Sequence, residues 1–468
     1  MQKRIFSVIA MLIAFLVFLS GCEALTLNSP ENLVRPPKLS GEDGKLQAAF
    51  EKAVSEKGEY ILKYPSAGEY RSAFIRYDCD NDGNDEAFVF YSLKAEEMLV
   101  HMYMLDYYGN EWIPVSDTPG EGNDVYSIEF CDLNSDGIDE IFVGWSSIDS
   151  KANKKLSVYC SQKNLQELNY NILAIESYTA MYTADLDFDG EKEILLALIN
   201  STSDTYTTEA RLLKMSESEN SGYQISAVGQ VSLFSGITSI MAITSGRADG
   251  RRYIYIDEVA GDAYLTEMLY WDRENNTLAS AITFDEISVA SCPTSRSLPL
   301  LCRNIDRDDE IEIPVTKLMQ DSSIVRKKTQ GTEVLTLTEN VYITNWKKFD
   351  DGNFSTAYSY IKNEDDGFII KYDEETMKDW CVRFYPDEGM SQFFLLKNAD
   401  NPDIDNESEL LFTISAVDVN ENISEATLLE TGEKYQYAYK ITEAGEGYGI
   451  TRSEILSFFS VSDSQGVF

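Results

Sequence analysis

Three stretches of the chain repeat one acidic pattern ahead of an apolar run: DCDNDGNDEAFV at residues 78–89, DLNSDGIDEIFV at 132–143 and DLDFDGEKEILL at 185–196. Their central glycines are Gly83, Gly137 and Gly190, which are 54 residues (137 − 83) and 53 residues (190 − 137) apart. Two weaker copies follow, one with Gly250 in GRADGRRYIYI and one with Asp309 in the glycine position of NIDRDDEIEIPV. Five units of similar length therefore cover roughly residues 70–360.

The residues between the loops have the composition of β-strands. Each loop is followed by a run rich in aromatic and β-branched residues, such as EAFVFYSL at 86–93 and EIFVGWSS at 140–147. About four short strands per unit are typical of one propeller blade, which covers its apolar faces by packing against its neighbours. The predicted fold class is mainly β: a β-propeller of five or six blades, spanning residues 45–360, with a small C-terminal α+β domain at 361–468.

The spacing of oxygens within each loop predicts a calcium site. Carboxylates at alternate positions 1, 3 and 5 converge on one point, glycine at position 6 takes the positive-φ turn, and a carboxylate at position 9 closes the shell around a hard ion. Position 7 would offer a backbone carbonyl. The predicted ligands are Asp78, Asp80, Asp82, Asn84 and Glu86 in the first loop, Asp132, Asn134, Asp136, Ile138 and Glu140 in the second, and Asp185, Asp187, Asp189, Glu191 and Glu193 in the third.

The two weaker copies differ from this pattern. The fifth loop keeps Asn304, Asp306, Asp308 and Glu312, but Asp309 replaces the glycine, which we expect to strain the turn. In the fourth, Arg247 and Tyr253 stand at ligand positions, and we expect no ion there. An EF-hand is excluded because position 12 is apolar and strands follow the loops. The alternative is that all the loops are soluble Asp-Gly turns.

The acidic loops resemble those of FG-GAP and VCBS repeats, the blades of integrin-α-like propellers. The resemblance covers the three strong units and the fifth, and is poor in the fourth. It implies a closed ring of blades with the loops on one rim, held by Ca²⁺, and a role in protein or glycan contacts.

The N-terminal residues predict a targeting signal. Lys3 and Arg4 precede an apolar run that ends in LSGC, which is typical of a secretory signal at residues 1–21. LSGC also resembles the lipobox of bacterial lipoproteins, which implies lipidation of Cys22. Residues 22–44 then form a flexible tether, and the protein is placed outside the cytoplasm on the bacterial cell membrane. A helix with Leu46, Phe50 and Val54 on one face is expected to cap the propeller.

The C-terminal residues 361–468 break the repeat and alternate strand-like with helix-like runs. This pattern resembles the PsbP-like module of some bacterial lipoproteins. Trp380, Phe384 and Tyr385 are expected to serve as core residues there rather than to line a ligand surface.

Composition narrows the function. A formal charge of −40 excludes nucleic acid as a natural partner. His101 is the one histidine, so zinc and Ser-His-Asp chemistry are not expected. The six cysteines after Cys22 leave disulfide pairing open. The prediction is a lipid-anchored, calcium-stabilised module that binds an extracellular protein or glycan. An extracellular polysaccharide-degrading glycosidase or lyase and a structural component of an envelope complex remain alternatives.

Overall fold

The computed structural model describes residues 41–148, 153–164, 167–201, 206–218, 222–282, 288–330, 333–397 and 408–462. The predicted signal segment 1–21, Cys22 and the tether up to residue 40 lie outside the described residues. Within them, no helix is long and apolar enough to cross a membrane.

Four separate antiparallel sheets follow one another along the chain. The first contains β1 (Tyr60–Lys63), β2 (Phe74–Tyr77), β3 (Glu86–Leu93), β4 (Val100–Tyr108) and β5 (Glu111–Pro119). The second contains β6 (Asp124–Cys131), β7 (Glu140–Ser146), β8 (Lys154–Asn164) and β9 (Glu167–Tyr178). The third contains β10 (Ala180–Ala184), β11 (Glu193–Ser201), β12 (Tyr206–Ser218) and β13 (Gly222–Ser232). The fourth contains β14 (Ser239–Ala248), β15 (Arg251–Ala260), β16 (Ala263–Asp272) and β17 (Thr277–Ser280).

The sheets pack face to face in chain order, because their second strands are apolar on both faces. Phe88 and Phe90 of β3 pack against Val143 and Trp145 of β7, with all four side chains fully buried. Similar apolar clusters join the second sheet to the third, the third to the fourth, and the fourth to the strands that follow. A strand buried on both faces is a near-continuous apolar run rather than an alternating one, as the sequence of β3 shows.

A helix covers the face of the first sheet that points away from the second. Helix α1 (Glu42–Ser55) buries Leu46, Phe50 and Val54 against β3, β4 and β5. The ring of Phe50 makes edge-on contacts with four aromatic rings of that sheet. The predicted capping helix is therefore confirmed, and it lies on the first sheet's outer face.

The fifth sheet has ten strands and extends to the C-terminus. It contains β18 (Ile313–Gln330), β19 (Glu333–Asp350), β20 (Asn353–Asn363), β21 (Phe368–Lys371), β22 (Trp380–Tyr385), β23 (Met390–Leu396), β24 (Ser408–Asp418), β25 (Thr427–Thr431), β26 (Tyr435–Ile441) and β27 (Phe459–Val461). Three short helices accompany it, namely α2 (Glu374–Met377), α3 (Glu443–Tyr448) and α4 (Arg452–Phe458). The predicted boundary between residues 360 and 361 falls inside β20, so one sheet carries strands of both predicted domains.

The C-terminal strands have a core of their own. Trp380 and Phe384 are buried in it together with Phe412 and Phe458, so both aromatic residues serve packing, as predicted. The six cysteines that the structure describes are all buried, and none of them forms a disulfide. The fold is mainly β, as predicted. The finer prediction of five or six propeller blades is taken up below under the proposed function.

Candidate metal centre

In the first three sheets the acidic loop joins the outermost strand to the buried second strand, and the fifth loop leads into β18 from an isolated bridge between Arg303 and Glu312. These four loops share one backbone conformation. Positions 4 and 6 of these loops have positive φ. The values are 58° and 90° at Asn81 and Gly83, 57° and 85° at Ser135 and Gly137, 65° and 96° at Phe188 and Gly190, and 64° and 71° at Arg307 and Asp309. Aspartate tolerates this region better than most side chains, so Asp309 keeps the turn that glycine makes elsewhere. The expected strain in the fifth loop does not change its shape.

In each of these four loops, the glutamate at position 9 anchors the loop to its strand. One oxygen of Glu86 accepts a hydrogen bond from the N–H of Cys79, two residues into the loop, at 2.8 Å. Glu140, Glu193 and Glu312 accept the corresponding bonds from Leu133 at 3.0 Å, Leu186 at 2.8 Å and Ile305 at 2.8 Å. All four glutamates are buried, at 1 % exposure or less. Each therefore ties the loop to its strand with one oxygen and leaves its second oxygen for a cation.

The aspartate at position 5 closes the turn. Its Oδ1 accepts the N–H of position 7, from Asn84 at 2.8 Å, Ile138 at 2.9 Å, Glu191 at 3.0 Å and Glu310 at 3.0 Å. In the first two loops the position 1 aspartate also accepts the N–H of the glycine at 3.0 Å. These bonds are local and depend on short side chains, which is why Asp and Asn dominate the loop.

Three loops bring carboxylates together closely enough for one ion. Ligand oxygens lie within 4.8 Å of one another in each of three groups: Asp78, Asp80 and Glu86; Asp185, Asp187 and Glu193; Asp306, Asp308 and Glu312. Oxygens about 2.4 Å from a calcium ion are at most about 5 Å apart, so the residues present fit Ca²⁺. The second loop has the same backbone bonds, but the amide of Asn134 donates to Asp136 at 3.1 Å.

The fourth copy is a hairpin rather than a loop. Ala248 pairs with Arg251, and Asp249 and Gly250 make the two-residue turn with φ of 49° and 67°. Positive φ at both positions is typical of a type I′ hairpin turn. Arg247 pairs with Arg252 in the ladder, so the turn of this unit does not adopt the frame of the other four loops.

The strand opposite the ninth residue adds a side chain that differs from sheet to sheet. Glu86 of β3 pairs directly with Asp106 of β4, so a fifth carboxylate faces the first loop. Ile141 pairs with Tyr159 in the second sheet, and the next position outward places the neutral Cys160 beside Glu140.

In the third and fifth sheets the same position holds a lysine. Lys214 Nζ lies 2.7 Å from Asp187 Oδ2 and 3.1 Å from Glu193 Oε1, and it also contacts Asp189. Lys348 Nζ lies 3.0 Å from Asp306 Oδ2 and 3.6 Å from Glu312 Oε1, and it also contacts Asp308. Each ammonium group thus meets the carboxylates at positions 3, 5 and 9 of its loop.

The pKa values reflect this difference. Burial raises the pKa of Glu86 and of Glu140 to about 7. Burial and then the charges of Asp82 and Asp80 raise the pKa of Asp106. Burial likewise raises the pKa of Glu193 and of Glu312, and the effect of the lysine is found at position 5, where the hydrogen bond from Lys348 lowers the pKa of Asp308. The carboxylates of the first loop therefore disfavour one another's ionised form, whereas an ammonium group faces those of the fifth loop.

Successive loops are hydrogen-bonded side by side. The N–H of Asp139, at position 8 of the second loop, donates to the carbonyl of Cys79 at 2.8 Å. Lys192, at position 8 of the third loop, donates to the carbonyl of Leu133 at 2.9 Å. Ile311, at position 8 of the fifth, donates to the carbonyl of Arg247 at 3.0 Å. The loops therefore lie in chain order along one edge of the stacked sheets.

The sequence prediction found the loops but missed Asp106, Lys214 and Lys348. These residues could be found from the register in which the second and third strands pair, and not from the loop motif. In the first three units, the residue opposite the ninth position follows it at nearly the same distance along the chain, because the second and third strands are joined by a hairpin of similar length. Aligning the units on that distance would have placed Asp106, Cys160 and Lys214 in one column.

A cavity of about 480 Å³ opens between the outermost strands β6, β10 and β14 of three sheets. Lys154 lies beside it, with Nζ 4.2 Å from the centre of the Tyr126 ring and 5.6 Å from that of Tyr178. Glu129 also lines the cavity. Burial lowers the pKa of Lys154. Strands from three sheets therefore surround one polar, aromatic hollow.

Comparisons with known proteins add little to this description. No known family profile matches the chain, and no curated protein matches it. Among solved structures, Chaetomium thermophilum Sqt1 bound to the N-terminus of the ribosomal protein L10 is similar at 10% identity and a TM-score of 0.26, over 67% of this chain and 79% of that chain. The assignment to the mainly β class therefore rests on the sheets themselves.

Proposed function

We propose that the chain is a lipid-anchored, extracytoplasmic binding module whose propeller-like array of five β-sheets is stabilised by calcium. Five sheets in chain order, one loop frame shared by four of the units, and a cavity between the outermost strands of three sheets support the propeller arrangement. The lipobox-like LSGC segment supports the anchor at Cys22. Helix α1 covers the first sheet where a closed ring would place a further sheet, so we assign it the closing role.

The calcium proposal rests on the carboxylate frame of the first two loops, in which several ligand carboxylates form no ion pair with a residue that the structure describes. Within the described residues, no ion pair is formed by Asp82, Glu86 or Asp106. The same holds for the carboxylates of the second loop, Asp132, Asp136 and Glu140. Calcium takes oxygen ligands from carboxylates and carbonyls in irregular geometry, which fits these donors. The ion would supply the positive charge that holds each loop against its sheet.

The cavity between β6, β10 and β14 is the proposed contact point for a partner. Its lining combines one lysine, one glutamate and two tyrosines with backbone edges of β14. Tyrosine and a charged group at the bottom of a concave site suit the polar main chain of a peptide or a glycan. This placement leaves the acidic rim to calcium and the cavity to the partner.

Thermal unfolding tests the calcium proposal. The full chain in mild detergent is unfolded with EGTA and then with millimolar calcium, because an ion that binds the folded state must raise the melting temperature. We expect a clear rise that is reduced by Asp82→Ala and by Asp136→Ala. Asp85→Ala, which changes an acidic residue of the same loop outside the ligand positions, is the matched control. No rise in the wild-type chain would refute calcium stabilisation.

Binding is tested at the cavity. Calcium-loaded chain is presented to a glycan array and used to capture proteins from extracytoplasmic extracts, alongside a Tyr126→Ala/Lys154→Ala variant. Lys155→Ala, which changes the exposed neighbour of Lys154, is the control. Partners retained by wild type and control but lost by the cavity variant support the proposal. Turnover of a polysaccharide without stable binding would instead favour the enzyme alternative.

A further inference from the structure

The third loop already contains a cation. A lysine ammonium group has three N–H donors and no acceptor, and the three donors of Lys214 meet Asp187, Asp189 and Glu193. Its side chain is 18 % exposed, and Glu193 is not exposed at all. This is a nearly enclosed ammonium with one carboxylate for each proton.

The fifth loop repeats the arrangement with an unrelated stretch of chain. Lys348 comes from β19, the partner of β18. It contacts Asp306 and Asp308, and its Nζ lies 3.6 Å from Glu312 Oε1, an ion pair longer than a hydrogen bond. These residues hold the same three loop positions as the partners of Lys214. Ile313 pairs with Lys347 just as Ile194 pairs with Leu213, so both lysines lie one position outward from the pair beside the ninth residue. In both loops a lysine therefore supplies the cation, from the same register position on the neighbouring strand.

We propose that Lys214 and Lys348 are built-in counter-ions that take the place of the metal ion, so that the chain binds calcium in its first and second loops and not in its third and fifth. The proposal rests on the proposed calcium function and assigns it to particular loops. The residue opposite the ninth position decides the outcome: Asp106 adds a ligand, Cys160 adds no charge, and a lysine fills the site.

Geometry makes the two cations mutually exclusive. Lys214 Nζ is within hydrogen-bond distance of the oxygens of Asp187 and Glu193 that a calcium ion would need. An ion about 2.4 Å from the same oxygens would overlap the ammonium nitrogen, and two positive charges would share one small site. The lysine is tethered by its own strand, so its effective concentration is of the order of millimolar or higher, comparable with the weak affinity of extracellular calcium modules.

The first experiment counts calcium ions. Equilibrium dialysis of the full chain against calcium is carried out for the wild type, Lys214→Ala, Lys348→Ala and the double variant. We expect two ions in the wild type, three in each single variant and four in the double variant. Lys192→Ala and Lys347→Ala remove neighbouring lysines that contact none of these carboxylates, and we expect two ions in each. A gained ion cannot result from unfolding.

The second experiment works in the opposite direction. Asp106→Lys places a lysine opposite Glu86, in the register that Lys214 occupies opposite Glu193. We expect this variant to bind one ion fewer than the wild type and to melt at a higher temperature than the wild type in EGTA. Asp106→Asn is the control that removes the charge without supplying an ammonium group.

The outcomes separate the two levels of the proposal. Four ions in the wild type, or two ions in every lysine variant, would overturn the lysine assignment while calcium binding stands. No ion in any variant would overturn the calcium function. In that case the melting temperature in EGTA still decides the role of the lysines: a marked fall for Lys214→Ala and none for Lys192→Ala supports the built-in counter-ion, and equal melting temperatures refute it.

Discussion

The first and third loops share one backbone conformation, but the side chains that face them from the neighbouring strand have opposite charges. Both turn through a positive-φ glycine, at Gly83 and Gly190, and both are tied to their sheet by the ninth glutamate. Across the strand, however, the first loop faces Asp106 and the third faces Lys214. One loop lacks a positive charge among these residues, and the other already holds one.

The comparison shows that the loop motif specifies a carboxylate shell and not its occupant. The frame is set by local hydrogen bonds between short side chains and the backbone, which recur wherever the pattern recurs. The charge balance is set by a side chain on another strand. A protein with several copies can thus combine metal-dependent and metal-independent loops without changing the motif itself.

The largest effect is expected at the ninth glutamate of the third loop. Glu193→Ala removes the acceptor of the Leu186 N–H and one of the three partners of Lys214, which costs about 3 kcal/mol of unfolding free energy in EGTA. Glu86→Ala should cost about half as much in EGTA, because lost repulsion among the first-loop carboxylates offsets the lost hydrogen bond. Urea unfolding of both variants in EGTA measures the difference. Equal losses of unfolding free energy would contradict the distinction between the first and third loops.

A third way to neutralise buried acid is found inside the fourth sheet. Glu258 and Glu267 are 0 % and 2 % exposed, and burial raises the pKa of Glu267 from 4.5 to about 8. Burial and the charge of Glu267 raise the pKa of Glu258 well above its ordinary value. Nearby Asp257 is paired with Arg296 at 2.8 Å. The buried charge of Glu258 and Glu267 is therefore neutralised by protons rather than by a metal ion or a lysine.

The proton-balanced pair predicts a pH dependence. The pKa of Glu267 is higher in the folded than in the unfolded state. Its contribution to the free energy of unfolding is therefore fully present below about pH 4.5 and is lost as the pH rises towards 8. Glu267→Gln keeps the hydrogen bond from the Phe234 N–H and removes the titrating group. We expect wild type to lose about 1 to 2 kcal/mol more than this variant between pH 6 and pH 8. Parallel curves for the two chains would contradict the assignment.

The smallest effect is expected at Asp106. Asp106→Asn removes one of the clustered charges around the first loop, which should raise the unfolding free energy in EGTA by about 0.5 to 1 kcal/mol. In millimolar calcium the sign should reverse, because a ligand is lost. Melting curves of wild type and variant under both conditions test this, and a change of the same sign in both would count against a cation site in the first loop.

The sequence predicted what local spacing controls. The loop positions, the β-strands after them, the helix with Phe50 on its buried face and the departure of the fourth unit from the loop pattern all follow from short patterns. The occupants of the third and fifth loops did not follow, because Lys214 and Lys348 reach the loops through strand register across a hairpin. Asp309 adopts φ of 71°, the left-handed region in which we expected strain, yet the turn keeps the shape that glycine gives the other loops.

The most direct test is to locate the ions. Crystals of the chain grown with calcium, and then with terbium as an anomalous marker in its place, would show which loops hold a cation. The account predicts an ion among Asp78, Asp80, Glu86 and Asp106 and another in the second loop, with Lys214 and Lys348 still in contact with their carboxylates. Ions in the third and fifth loops with both lysines displaced would contradict it.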